Sequence, residues 1–423
     1  MNVTDASREQ LCQWKQELDS AYQQFKQQNL KLDLTRGKPS TTQLDLSDKL
    51  DGILDGNYTT IGGADTRNYG GLYGIPELRD LGAELLGVST SEIMVGGNSS
   101  LSYMYYSIMF AKLFGLGGAP SWDSEGPSKF ICPVPGYDRH FAICEALGIE
   151  MINVPMLADG PDMDAVEALI ADDSSIKGMW NVPKYSNPTG LTYSDKTVER
   201  IARLGKTAPA NFRVFWDNAY AVHDLSDSPD QLASIMDYCR NHGTEDLVIQ
   251  FTSTSKITFA GAGVCFVGAS ESNLSSLAKH LGIAMIGPDK VNQLRHSRLF
   301  PDIEALRTHM QCHRAVLAPR FETVEKHLRE HFENSDLATW NKPEGGYFVS
   351  FDTLPGLASE VVGLCSEAGV ALTPAGATFP YGKDPNNSNI RLAPSFPSLE
   401  EIEQIMEVFC CCVKLASVRQ ALS

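Results

Sequence analysis

Ser253-Thr254-Ser255-Lys256-Ile257 places a lysine among small hydroxyl residues, after an apolar run from Leu247 to Phe251 and before the glycine-broken segment Gly261-Ala262-Gly263. A lysine meant for solvent would sit on a polar helix face. Here the hydroxyls can hold an anion and the glycines permit close backbone approach. The pattern suits an amine that works covalently on a phosphorylated carbonyl compound.

A second group belongs with it. Arg213-Val214-Phe215-Trp216-Asp217 reads as a buried parallel strand ending in an acid, and the carboxyl ends of such strands are where α/β sheets bind ligands. An aspartate there can pair with a protonated pyridine nitrogen and keep the ring electron-withdrawing, which points to pyridoxal 5'-phosphate. Tyr220, three residues on, could reach that cofactor's phenolic oxygen. Asn187-Pro188-Thr189-Gly190 follows the apolar run Met179 to Val182. A turn explains its proline and glycine but not the asparagine, whose neutral amide can donate to the same oxygen. Taken singly, these residues read as a capping Asp, a core Tyr and a turn; their occurrence together with Lys256 argues for a site.

The order Tyr69 to Arg79, Gly97-Asn98-Ser99, Pro135-Gly136-Tyr137, Asn187 to Gly190, Asp217 to Tyr220, Ser253 to Lys256 and Arg391-Leu392 resembles the fold-type I aminotransferases. The likeness runs from about Leu32 to the end. Thr35 to Pro39 and Ser255 to Phe259 are most similar to the divergent aspartate aminotransferase subgroup. The resemblance implies that Lys256 forms the internal aldimine and shuttles a proton to and from the substrate's α-carbon. It implies that Asp217 holds the pyridinium, Tyr220 and Asn187 bond the 3-oxygen, and Tyr137 stacks on the ring. The phosphate would lie against Gly97, Asn98 and Ser99, with Ser253 and Ser255, at a helix opening near Ser100. Tyr69 would reach the neighbouring subunit's phosphate, implying a homodimer with shared active sites. Arg391 would grip the substrate carboxylate with its planar fork, and Gly37 would join it on the substrate side.

One departure stands out. Most relatives follow the lysine segment with an arginine for the phosphate, whereas this chain reads Ala260-Gly261-Ala262-Gly263-Val264. The helix end, the hydroxyls, Lys184 or Arg36 must then balance that charge. The resemblance implies amino transfer between L-aspartate and 2-oxoglutarate in two half-reactions, which needs a further cation for the distal carboxylate. Arg36, Lys38, Lys184, Arg139 and Arg298 are candidates. An aromatic or broad-range aminotransferase and a β-lyase would use the same lysine, aspartate and arginine. A non-enzymatic ligand-sensing domain is the reading from another class.

The elements that position these residues follow from periodicity. Apolar runs at Glu92 to Val95, Lys129 to Pro133, Glu150 to Val154, Gly178 to Val182, Arg213 to Asp217, Leu247 to Thr252 and Gly263 to Gly268 alternate with helical stretches. The rhythm predicts an α/β fold with a mostly parallel seven-stranded sheet, joined by resemblance to a smaller α+β domain. The expected division is 1–50 with the small domain, 51–305 the large cofactor-binding domain and 306–423 the small domain. Leu299 to Phe332 reads as one long helix, and Leu11, Trp14, Leu18, Tyr22 and Phe25 predict an amphipathic N-terminal one.

The chain has 423 residues, 43% hydrophobic, with a net charge of −17. That acidity argues against nucleic-acid or anionic-membrane partners, and no segment has the ~20 apolar residues of a membrane span. The ten cysteines show no Cys-x-x-Cys spacing for a metal, and Cys410-Cys411-Cys412 lies in an apolar helical pattern. A reducing, cytoplasmic location is expected.

Overall fold

The apolar runs become strands in the computed structural model, which describes all residues from Met1 to Ser423. In spatial order the large sheet comprises Ile93–Val95, Cys265–Ala269, Val248–Ser253, Arg213–Asp217, Ile176–Asn181, Lys129–Val134, Glu150–Leu157 and Gly160–Pro161. The run from Val248–Ser253 to Glu150–Leu157 pairs in parallel. Cys265–Ala269 is antiparallel to both of its neighbours. All seven expected strands occur. The eighth, Gly160–Pro161, adds antiparallel to Glu150–Leu157 and is too short to leave a periodic signal.

Every residue of Ile176–Asn181 and Arg213–Asp217 is buried, with the apolar Met179-Trp180 and Val214-Phe215-Trp216 covered on both faces by helical layers and the polar residues near the strand ends. Phe215 and Phe251 pack with Met104 and Ile108 of the helix Ser100–Phe114. Val214 and Trp216 point into the opposite layer with Val166, Val198 and Met236. At Gly178 a Cβ would come within 2.2 Å of the Phe130 ring, so only glycine lets that ring lie flat on the sheet.

A second core lies beyond the sheet. Ala338–Trp340, Val349–Thr353 and Asn389–Leu392 form an antiparallel sheet in which Ser350 pairs with Arg391. The helix Leu399–Leu422 opens with a capping box at Ser398 and Glu401 and buries Ile402, Ile405, Met406, Phe409 and all three consecutive cysteines. The N-terminal helix Arg8–Gln27 packs Leu11 and Tyr22 into the same core, and Leu32–Asp33 pairs in parallel with Val370–Ala371. The Phe409 ring lies edge-on to Phe351 with centroids 4.9 Å apart. Phe409→Ala is therefore expected to destabilise the protein by about 3–5 kcal/mol, measured as a shift of the denaturant unfolding transition.

The long helix expected from Leu299 to Phe332 is present as Ile303–Phe332, starting four residues later than expected. Lys290–Leu299 ends before Phe300-Pro301-Asp302, and Ile303–Phe332 starts afresh with the Asp302 side chain accepting from the Ala305 amide. Pro301 restricts Phe300 to an extended conformation, which breaks the helix there. Leu306 and Met310 pack with Leu54 and Ile75, whereas Phe321, Val324 and Leu328 join the second core. The helix thus spans both units, and a division between residues 305 and 306 falls inside it.

Candidate active site

A cavity of about 790 Å³ opens between the carboxyl ends of the parallel strands and the second unit. Strand ends deliver most of its walls: Tyr137 follows Lys129–Val134, Asn187 follows Ile176–Asn181, Asp217 closes its strand, and Ser253, Ser255 and Lys256 follow in turn. Arg391 enters from the small sheet and Gly37 from the N-terminal segment. Eight residues from six separate segments therefore converge on one space.

Asp217 is buried, at 3% exposure. His140 Nε2 donates to its Oδ2 at 3.0 Å, while Oδ1 is buried without any partner. His140 is itself fixed by stacking on Trp180, 4.0 Å between centroids. The result is a rigid carboxylate with one oxygen held in reserve. An unsatisfied buried acceptor costs about 1–3 kcal/mol, so such an atom is where a donor is missing.

The Lys256 Nζ lies 5.3 Å from the centroid of the Tyr220 ring. Burial lowers its pKa from the usual lysine value; Asp217 acts in the opposite sense and Arg391 adds to the lowering. Burial likewise raises the Tyr220 and Tyr137 hydroxyls, so both stay protonated donors.

Arg391 Nη1 donates to Asp138 Oδ1 at 2.9 Å and to Asn187 Oδ1 at 3.2 Å, and its Nε is buried without a partner. Because the Asn187 oxygen serves the arginine, the amide's NH₂ is the end left free to donate elsewhere. The guanidinium lies 4.9 Å from the Phe348 ring centroid. A Cβ at Gly37 would strike that ring at 2.3 Å, so a side chain there would dislodge the arginine's support.

At the far end, Ser253 Oγ donates to Ser255 Oγ at 3.1 Å and Ser255 Oγ to the Asn98 carbonyl at 2.8 Å. Ser99, at the N-cap of Ser100–Phe114, makes no capping bond with its side chain. Ser99 lines the cavity, whereas Gly97 and Asn98 stand behind it. Tyr69 does not: it is 81% exposed on the outer surface. Arg36, Lys38 and Arg139 line the cavity. Lys184, offered by the sequence both for the phosphate and for a distal carboxylate, is absent from it, because Asp224 Oδ1 and the Ala221 carbonyl take its Nζ at 2.8 and 3.1 Å. Arg298 is also outside, donating to the Thr59 carbonyl at 3.1 Å.

Sequence reasoning missed His140, Asp138 and Phe348. His140 carried one legible signal, since a residue three positions after Tyr137 on a helix opening at Asp138 shares its side of the first turn.

With this geometry in view, comparison with known proteins is specific. Residues 6–423 match the family described as aspartate amino-transferase. An aspartate aminotransferase of Corynebacterium glutamicum is 46% identical over 419 residues, 99% of this chain and 96% of that protein. The crystal structure of an aspartate transaminase from the same organism superposes with a TM-score of 0.96 at 45% identity, covering 100% of this chain and 99% of that one. An aromatic-amino-acid aminotransferase of Thermococcus litoralis is 26% identical over 270 residues, 61% of each chain. A match this long and this close, on a fold that gathers the expected residues, leads to one conclusion: the chain belongs to the aspartate aminotransferase family.

Proposed function

We propose that the cavity binds pyridoxal 5'-phosphate and transfers an amino group between L-aspartate and 2-oxoglutarate in two half-reactions. The observation that carries this reading is Asp217, whose unpartnered buried Oδ1 shares a cavity with Lys256 and Arg391. A protonated pyridine nitrogen is the donor that oxygen lacks. When bound, the cofactor supplies an electron-withdrawing ring that takes up the electron pair of the substrate's α-carbon.

The chain's own groups do the rest. Lys256, its pKa lowered by burial, offers the free amine that takes the α-proton and returns it. Tyr220 and the free NH₂ of Asn187 donate to the 3-oxygen, and Tyr137 covers the ring. Ser99, Ser253 and Ser255 bind the phosphate with the positive end of Ser100–Phe114, backed by Gly97 and Asn98. Arg391 binds the α-carboxylate, and Arg36, Lys38 and Arg139 are the cations available to the distal one.

Tyr69 serves a partner copy in a homodimer. Its exposure, with that of Ile61 and Ile283 at 83% each and Ile286 at 64%, supports such an interface. The unit built on Val349–Thr353, Asn389–Leu392 and Leu399–Leu422, with the N-terminal helix Arg8–Gln27, acts as a small domain that closes on the large one and excludes water. All ten cysteines are unpaired, which suits a reducing cytoplasm, and no helix is long and apolar enough to cross a membrane.

An absorbance spectrum with pyridoxal phosphate tests the reading. A visible band that depends on Lys256, is removed by L-aspartate and is restored by 2-oxoglutarate is the expected result. A band answering only to aromatic amino acids would discard aspartate and keep the enzyme. Arg391→Lys retains the charge but loses the fork, and kcat/KM for aspartate is expected to fall about ten- to a hundredfold, chiefly through KM, in steady-state assays.

A further inference from the structure

The backbone carbonyls of Lys256 and Ile257 are gripped by side chains from distant parts of the chain. Tyr347 Oη donates to the Lys256 carbonyl at 3.2 Å, with His223 Nε2 a longer contact at 3.4 Å. His309 Nε2 and His313 Nε2 each lie 2.8 Å from the Ile257 carbonyl. A carbonyl only accepts, so both imidazoles carry their proton on Nε2. His313 Nδ1 must then accept, and Gln43 Nε2 reaches it at 3.1 Å. The same amide nitrogen donates to Tyr347 Oη at 2.8 Å, the hydroxyl's own hydrogen being committed to Lys256.

Both hydrogens of one NH₂ are thus spent on the two groups that hold the lysine's backbone. The amide's orientation is fixed in turn, because Gln43 Oε1 accepts from the Ser40 amide at 3.1 Å. Gln43 and Tyr347 are 0% exposed and His313 1%, so solvent cannot replace any of these donors. Burial holds His313 down to about 4, in the neutral form that the arrangement requires. None of the three lines the cavity, yet Ser40 directly follows the wall segment Thr35 to Lys38 and Pro39.

We propose that Gln43 is a positioning residue for Lys256, acting through Tyr347 and His313 on the Lys256 and Ile257 carbonyls and tying that backbone to the N-terminal wall of the cavity. The proposal rests on Lys256 being the reacting amine. One Nζ must reach both the cofactor and the α-proton, and displacing a catalytic group by an ångström costs about a hundredfold in rate.

Gln43→Leu and Tyr347→Phe, each in the holoenzyme, test it. The amides of Ile257 and Thr258 both donate to the Thr254 carbonyl at 2.8 Å and report on this backbone through hydrogen exchange. In Gln43→Leu their exchange is expected to quicken about tenfold while amides of Arg213–Asp217 keep their wild-type rates. kcat should fall about ten- to a hundredfold with KM for aspartate little changed. Tyr347→Phe should move both readouts the same way by less, and it carries the test alone should Gln43→Leu not fold. Wild-type exchange at Ile257 and Thr258 in both variants would overturn the proposal. So would exchange raised evenly along the chain with kcat per folded molecule preserved, since that marks support of the fold only. A wild-type protein without a Lys256-dependent band would instead remove the functional reading, whatever the exchange rates.

Discussion

Lys256→Ala is expected to lower kcat for aspartate transamination by about 10⁴-fold or more. In the proposed function one amine is both the covalent attachment point and the group that moves the α-proton, and proton transfer by a positioned side chain alone is worth about 10²–10⁴. No neighbour can take over. Lys184 is bound to Asp224, and Tyr220 and Tyr137 are held protonated by burial. The substitution leaves Ser99, Ser253 and Ser255, the phosphate ligands of the proposed function, in the cavity wall, so the variant should still bind pyridoxal phosphate by equilibrium dialysis while losing the visible band. Turnover within tenfold of wild type would remove Lys256 from the chemistry.

Asp217→Asn is expected to be the second largest loss, about 10²- to 10³-fold in kcat, without loss of the visible band. The wild-type carboxylate is fixed by His140 at 3.0 Å and leaves Oδ1 buried without a partner, the place that the proposed function gives to a cationic N–H. In the amide, oxygen takes the histidine's hydrogen and NH₂ replaces the free oxygen, offering a donor where a donor should be received. Losing one partner of a buried charge pair costs about 3–5 kcal/mol, which sets the size of the effect. A band that persists with greatly slowed exchange of the substrate α-proton would locate the defect in the ring's electron demand. Near-normal kcat would mean that the ring nitrogen is not bound by Asp217.

These residues were legible because each ends an apolar run, and strand ends in a parallel sheet share one edge. Lys256, Asp217 and Asn187 needed only that rule to be brought together, whereas Tyr137 was named through the family resemblance. Their supports were missed, the spacing of His140 from Tyr137 being the one local signal. His140 meets Asp217 across 77 residues and Asp138 meets Arg391 across 253, and each depends on how a helix or a separate sheet is set against the strand ends. The cations show the same limit from the other side: Lys184 and Arg298 had the right charge, but neighbouring acceptors claimed them. At Gly160–Pro161 and at the Pro301 break, local chemistry decided the outcome where periodicity was silent.

The two ends of the chain share one core: Tyr22 donates to the Leu364 carbonyl at 3.0 Å, and Leu11 belongs to the same cluster as Val413 and Val418. During synthesis at about 5–20 residues per second, the N-terminal helix therefore leaves the ribosome roughly 20–80 s before the last helix that covers it. The large sheet is complete by Ala269 and can form in that interval. The apolar stripe of Arg8–Gln27 stays unsheltered until Leu399–Leu422 has emerged, so nascent chains truncated before Leu399 should be the aggregation-prone species and the main clients of chaperones.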